Sequence, residues 1–196
     1  MAALAKTTNK VIAIGASTGG TVALDYLLAE FPSNAPETVV VQHMPAGFTK
    51  SFADRLNAIY HVEVKEAEDE DSVLPGRVLI APGNLHILLK RSGARYYVEV
   101  KNWPLVGRHK PAINVSFNSA AQYAGNNLIG IILIGMGCEG ADGMKQMRDA
   151  GAINITQDEK SCVVYGMPKA AVENNAVDHI LPLAAIAGKV MTLVEN

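Results

Sequence analysis

The segment VIAIGASTGG, Val11 to Gly20, sets a serine among three glycines directly after an apolar run. Gly15, Ala16, Ser17, Thr18 and Gly19 spell G-x-S-x-G, in which small neighbours let a tight turn present a serine hydroxyl for attack on an acyl group. Two phosphate-binding patterns fail on the same residues. No G-K-[ST] follows, and Ser17 stands where the second glycine of G-x-G-x-x-G must be. A serine nucleophile needs a base within hydrogen-bond reach and an acid to orient that base. The chain offers five histidines, His43, His61, His86, His109 and His179, and the segment GMGCEGADG carries Glu139 and Asp142. A plainer role for Ser17, the N-cap of a helix in a glycine-rich turn, uses the same residues.

Whether these groups can meet depends on the elements that carry them. KVIAIG, ETVVVQH, HVEVKEA, RVLIAPG, LIGIILIG, AINIT and HILP read as strands. Between them, GGTVALDYLLAEFP, TKSFADRLNAIY, INVSFNSAAQYA, GADGMKQMRDAG, PKAAVENN and AAIAGKVMTLVEN read as helices. Val22, Leu24, Leu27, Leu28 and Phe31 form the apolar face of the first, and Phe52, Leu56 and Ile59 that of the second. LHILLKR and RYYVEVK flank a glycine-containing turn and read as a β-hairpin. The acidic run EAEDEDS, Glu66 to Ser72, reads as a solvated loop, because like charges repel one another and stay exposed. Buried strands alternating with helices imply a doubly wound, mostly parallel α/β sheet, Rossmann-like, with helices on both faces and one antiparallel β-hairpin attached.

In such a sheet the site lies beyond the carboxyl ends of the strands. His43 closes the strand after the serine strand and is the candidate base. His61 and His179 precede their strands and face the opposite edge, His86 lies on the hairpin, and His109 is a possible rim residue in a loop before a helix. Glu139 and Asp142 follow the end of a third strand, where either could orient the base or simply complement a helix dipole. The chain order Ser, His, acid differs from the Ser, acid, His order of α/β-hydrolases.

Composition narrows the setting. The 196 residues, 49% of them hydrophobic, suffice for one domain with a buried core. We divide them into an N-terminal tail, residues 1–9, and a catalytic domain, residues 10–196. A net charge of −2 gives no argument for nucleic acid, and no apolar run approaches the roughly 20 residues of a membrane span. MAALAKTTNK lacks the apolar core of a signal peptide, and Cys138 and Cys162 form no CxxC pair, so a cytoplasmic monomer is expected.

The motifs IGASTGGT, QHMPAGFTKSFADRLN, VLPGRVLIAPGNLH, RHKPAINVSFNS, GIILIGMGCEGADGM and SCVVYGMP occur in order from about Lys10 to the C-terminus. Together they resemble the catalytic domain of the chemotaxis protein-glutamate methylesterases. The resemblance implies hydrolysis of glutamate γ-methyl esters on the cytoplasmic helices of chemoreceptors, with deamidation of receptor glutamines as a second activity. It places the nucleophile on Ser17 and the base on His43, with Thr18 and the Met136 amide at the oxyanion site beside Gly19. The family's orienting aspartate corresponds to Glu139, a departure that leaves Asp142 as an alternative acid and a binding module with a degenerate triad as an alternative function. No metal and no organic cofactor is needed for this chemistry. Arg108, His109 and Lys110 could meet an acidic receptor surface. A second departure is the missing receiver domain that usually precedes this family's catalytic domain, which implies a trimmed or stand-alone domain.

Overall fold

The computed structural model describes residues 10–196, so the proposed tail lies outside the described residues. Seven parallel strands form the main sheet: β1 (Val11–Ala16), β2 (Glu37–Gln42), β3 (Glu63–Glu66), β5 (Arg77–Ile80), β8 (Leu128–Ile132), β9 (Ile153–Gln157) and β10 (His179–Leu181). Their order across the sheet is β10-β9-β8-β1-β2-β5-β3, which puts the serine strand β1 in the middle with β2 and β8 on either side.

Both faces of the sheet are buried, which is why β1 and β8 are apolar throughout and β2 is apolar at its centre, Val39 to Val41. Ile12 and Ile14 of β1 and Val40 of β2 point into one core, with Leu24, Leu27 and Leu28 of α1 (Gly20–Ala29), Phe52 and Leu56 of α2 (Phe48–Ile59), and Ile186 and Val190 of α6 (Leu183–Glu195). Val11, Ala13, Val39 and Val41 alternate to the other core. There they meet Phe117 of α3 (Ile113–Ala124), Met144 and Met147 of α4 (Ala141–Asp149) and Ala171 of α5 (Met167–Glu173). Two residues expected in the core are not there. Val22, in the first turn of α1, and Ile59, the last residue of α2, are 72% and 59% exposed.

The expected hairpin is β6 (His86–Ser92) paired antiparallel with β7 (Arg95–Lys101), and a two-residue strand, β4 (Ser72–Val73), adds to the far side of β7. Glu68, Asp69 and Glu70 of the acidic run are exposed, as expected, but the run is anchored at both ends, with Glu66 in β3 and Ser72 in β4. Asp69 Oδ1 accepts the Val100 N–H and Asp71 Oδ2 accepts the Glu68 N–H, while Lys65 Nζ lies 2.9 Å from Asp71 Oδ1. Backbone donors and one cation replace the repulsion that the sequence suggests. No helix among the described residues is long and apolar enough to cross a membrane.

Candidate active site

The chain leaves the carboxyl end of β1 at Ala16 and enters α1 at Gly20, so Ser17 to Gly19 form the turn between them. The left-handed backbone of this turn falls on Gly19, at φ 85°, and not on the serine. Glycine tolerates that conformation at no steric cost. Ser17 is fixed from three sides: its N–H donates to Ile134 O, its carbonyl accepts the Gly20 N–H, and the Gln42 side-chain amide donates to the same carbonyl. Gly135 packs so closely that a Cβ there would lie 2.9 Å from Ser17 Cβ. Any side chain at Gly135 would displace the serine.

His43 follows β2 directly and is held by its N–H bond to Ala16 O. Its Nδ1 lies 3.1 Å from Ser17 Oγ. On the far side of the ring, Nε2 is 3.7 Å from Glu139 Oε1, an ion-pair distance that is too long for a hydrogen bond. Nε2 has no hydrogen-bond partner among the described residues. The ring thus turns Nδ1 to the hydroxyl and Nε2 to the carboxylate, the reverse of the chymotrypsin arrangement.

Glu139 is buried, and both of its oxygens are engaged by the first turn of α3. Oε1 accepts the Ile113 N–H, and Oε2 accepts the Asn114 N–H at 3.1 Å. A carboxylate there satisfies helix N–H groups that have no partner within the helix, and it sits where the helix dipole favours negative charge. Asp142, by contrast, is exposed in the first turn of α4 and reaches only the Asn174 side-chain amide, at 3.5 Å. No ion pair joins it to His43 among the described residues.

Of the remaining expected site residues, Thr18 and Gly19 are exposed beside Ser17, and Met136 is 67% exposed in the loop after β8. Among the described residues, no hydrogen bond within the protein uses the backbone N–H of Thr18, Gly19 or Met136. Free donors at the head of α1 and beside Gly135 suit a developing oxyanion. Two hollows of about 300 Å³ flank the serine and histidine. One is apolar and lined by Thr18, Gly19, Val22, Ile134 and Val163. The other is lined by His43, Met44, Arg108, His109 and Lys110. A larger hollow of about 600 Å³ lies between β6 and α3 and touches neither Ser17 nor His43.

The structure also adds residues that sequence reasoning left out. Gln42 positions the serine carbonyl, and the buried Gln157 accepts the Ile134 N–H and so fixes the loop that carries Met136. The available signal was a polar residue at the carboxyl end of each strand. His109, the possible rim residue, stacks on His43 with ring centroids 4.2 Å apart and planes 5° from parallel. Its pKa is lowered, first by burial and then by the neighbouring His43, against a smaller opposing pull from Glu139. His61 and His179 lie at the amino ends of β3 and β10, as expected. No group of three or more His, Cys, Asp or Glu side chains among the described residues is arranged to hold a metal ion.

With this geometry in place, the chain can be compared with known proteins. The crystal structure of the Thermotoga maritima CheB methylesterase catalytic domain superposes with a TM-score of 0.91 at 39% identity, covering 94% of this chain and 98% of that one. A Geobacter metallireducens protein named protein-glutamate methylesterase/protein-glutamine glutaminase 3 is 56% identical over 97% of this chain. A similarly named protein of Syntrophus aciditrophicus is 57% identical over the same share. The chain spans about half the length of these two relatives, 54% and 56%. The family model described as CheB methylesterase matches residues 12–190, and on that extent the chain belongs to the CheB methylesterase family.

Proposed function

We propose that this chain is the catalytic part of a serine hydrolase that removes methyl groups from glutamate γ-methyl esters on the cytoplasmic helices of chemoreceptors. The observation that carries the reading is the 3.1 Å contact between Ser17 Oγ and His43 Nδ1 at the carboxyl ends of adjacent strands. Similarity to relatives named for methylesterase and glutaminase activity supports the choice of ester and, for a receptor glutamine, the corresponding amide. Receptor helices in the cytoplasm are the proposed partner.

In this mechanism Nδ1 takes the Ser17 proton as Oγ attacks the ester carbonyl. The imidazolium then keeps its second proton on Nε2, facing Glu139, whose charge balances it. The free N–H groups near Thr18, Gly19 and Met136 stabilise the oxyanion, a contribution commonly worth about 3–4 kcal/mol per donor. Collapse of the tetrahedral intermediate breaks the C–O bond, and Nδ1 returns its proton to the departing methoxy oxygen. Water, deprotonated by the same nitrogen, then releases glutamate from Ser17.

The test is methanol release from methylated receptor. Ser17→Ala should abolish it, with a loss on the order of 10⁶ where a triad nucleophile is removed, while the thermal melt stays unchanged. A variant that keeps more than a few per cent of the activity overturns the assignment. Absence of methanol release from the parent chain, together with unimpaired receptor binding, would favour the binding module.

A further inference from the structure

We infer that His109 is a positioning residue for His43, whose imidazole it holds in register with Ser17 by stacking flat on one face. This inference rests on the reading of Ser17 and His43 as nucleophile and base.

The need for such a residue follows from how little else holds the ring. The His43 ring makes one hydrogen bond, to Ser17, and its Nε2 falls short of hydrogen-bond distance from Glu139. Rotation about the Cβ–Cγ bond would carry Nδ1 away from the hydroxyl, and neither contact resists that rotation strongly. A parallel ring 4.2 Å away does, because turning the imidazole drives its edge into the neighbouring face.

The loop that delivers His109 is built to hold it. Val106 and His109 exchange two backbone hydrogen bonds of 3.0 Å each, closing a turn whose central residues, Gly107 and Arg108, both have left-handed backbone, at φ 55° and 70°. Arg108 adopts this conformation without the freedom of glycine, so the turn is held by its surroundings. His86 clamps the loop at both ends. Fully buried, it donates from Nε2 to Pro104 O at 2.9 Å and accepts the Ala112 N–H on Nδ1 at 3.2 Å. A buried histidine on a different strand therefore fixes the segment that places His109.

The stack carries a charge requirement. When His43 becomes an imidazolium, a neutral His109 offers it a π face, whereas a protonated one would repel it. The charged and titratable groups around the pair are Glu139 from the loop before α4, Arg108 and Lys110 on either side of His109, and His86 beneath the loop. Two of these are cations and one is an anion, so Glu139 alone favours protonation of His109.

A fluorophosphonate that labels active serines reads this directly. Its rate of reaction with Ser17 would be followed between about pH 5 and 9, the range in which histidines titrate, in the parent chain, His109→Phe and His109→Ala. His109→Ala should slow labelling about 10- to 100-fold, the scale of a misplaced reacting group. His109→Phe keeps a flat ring that does not titrate. It should label within about threefold of the parent above pH 8. Parent-like labelling of His109→Ala overturns the positioning role, and so does a His109→Phe rate as low as that of His109→Ala. No labelling of Ser17 in the parent chain overturns instead the reading of Ser17 on which the inference rests.

Discussion

Strand β2 carries an ionisable side chain at each end: Glu37 is its first residue and His43 follows its last. Glu37 is only 7% exposed, its Oε2 has no partner, and burial pushes its pKa up to about 7. His43 is similarly enclosed, yet a hydroxyl, a carboxylate and a second imidazole converge on it. By perturbation alone Glu37 would be the stronger candidate for chemistry. What separates them is the edge of the sheet. At the carboxyl edge the head of α1 and the loop after β8 bring free N–H groups together while the head of α3 holds Glu139, and at the amino edge the strand simply begins. A shifted pKa marks burial, and only convergent partners mark a site.

Exchange of the two ends for neutral amides gives the widest separation. His43→Gln removes the proposed base and should lower ester hydrolysis by about 10³-fold or more, within the range of triad losses, with little change in the melt. Glu37→Gln should leave turnover within twofold. Methanol release and thermal melts on both variants check the pair. Comparable losses of turnover would dissolve the distinction between the edges.

Glu139 tests the same comparison from the acid side. Glu139→Gln keeps an oxygen for the α3 amides but removes the charge facing Nε2, so turnover should fall about 10²- to 10⁴-fold. Asp142→Asn should leave turnover within twofold and lower stability by only about 0.3–1 kcal/mol, the value of a carboxylate at an exposed helix start. A severe loss at Asp142 with a silent Glu139 would move the acid to α4.

Much of this arrangement could be read in the sequence, because burial on two faces leaves a plain mark. VIAIGA, LIGII and the VVV centre of ETVVVQ are apolar at consecutive positions, and their alternation with helices fixes a parallel sheet, whose carboxyl edge then selects Ser17 and His43. Contacts made by backbone groups leave no such mark. Glu139 as the acceptor for α3, Asp69 and Asp71 under backbone amides, and the two-residue strand β4 all depend on donors that every residue carries. His109 was placed only at the rim, since its stack depends on a turn that brings a distant loop over the end of β2. Val22 and Ile59 fit helical periodicity yet are exposed in the first and last turns of their helices, because periodicity gives a face and says nothing of what packs against each turn.

The smallest effect on turnover is at Glu37, and there the comparison can be sharpened through stability. Its folded pKa lies near 7 against an ordinary 4.5, so folding favours the protonated form. Below about pH 4.5 both the folded and unfolded chains hold the proton and the carboxyl carries no penalty. Between there and pH 7 the unfolded chain ionises first, and stability falls as the pH rises. Above pH 7 the loss is complete and constant, on the order of 1–3 kcal/mol for a shift of this size. Glu37→Gln has no such proton to lose. Denaturant melts should find the variant and the parent alike near pH 4, with the variant more stable at pH 8. A gap that is equal at both pH values would show that Glu37 is solvated in the folded chain, and would remove the buried carboxylate from the amino edge.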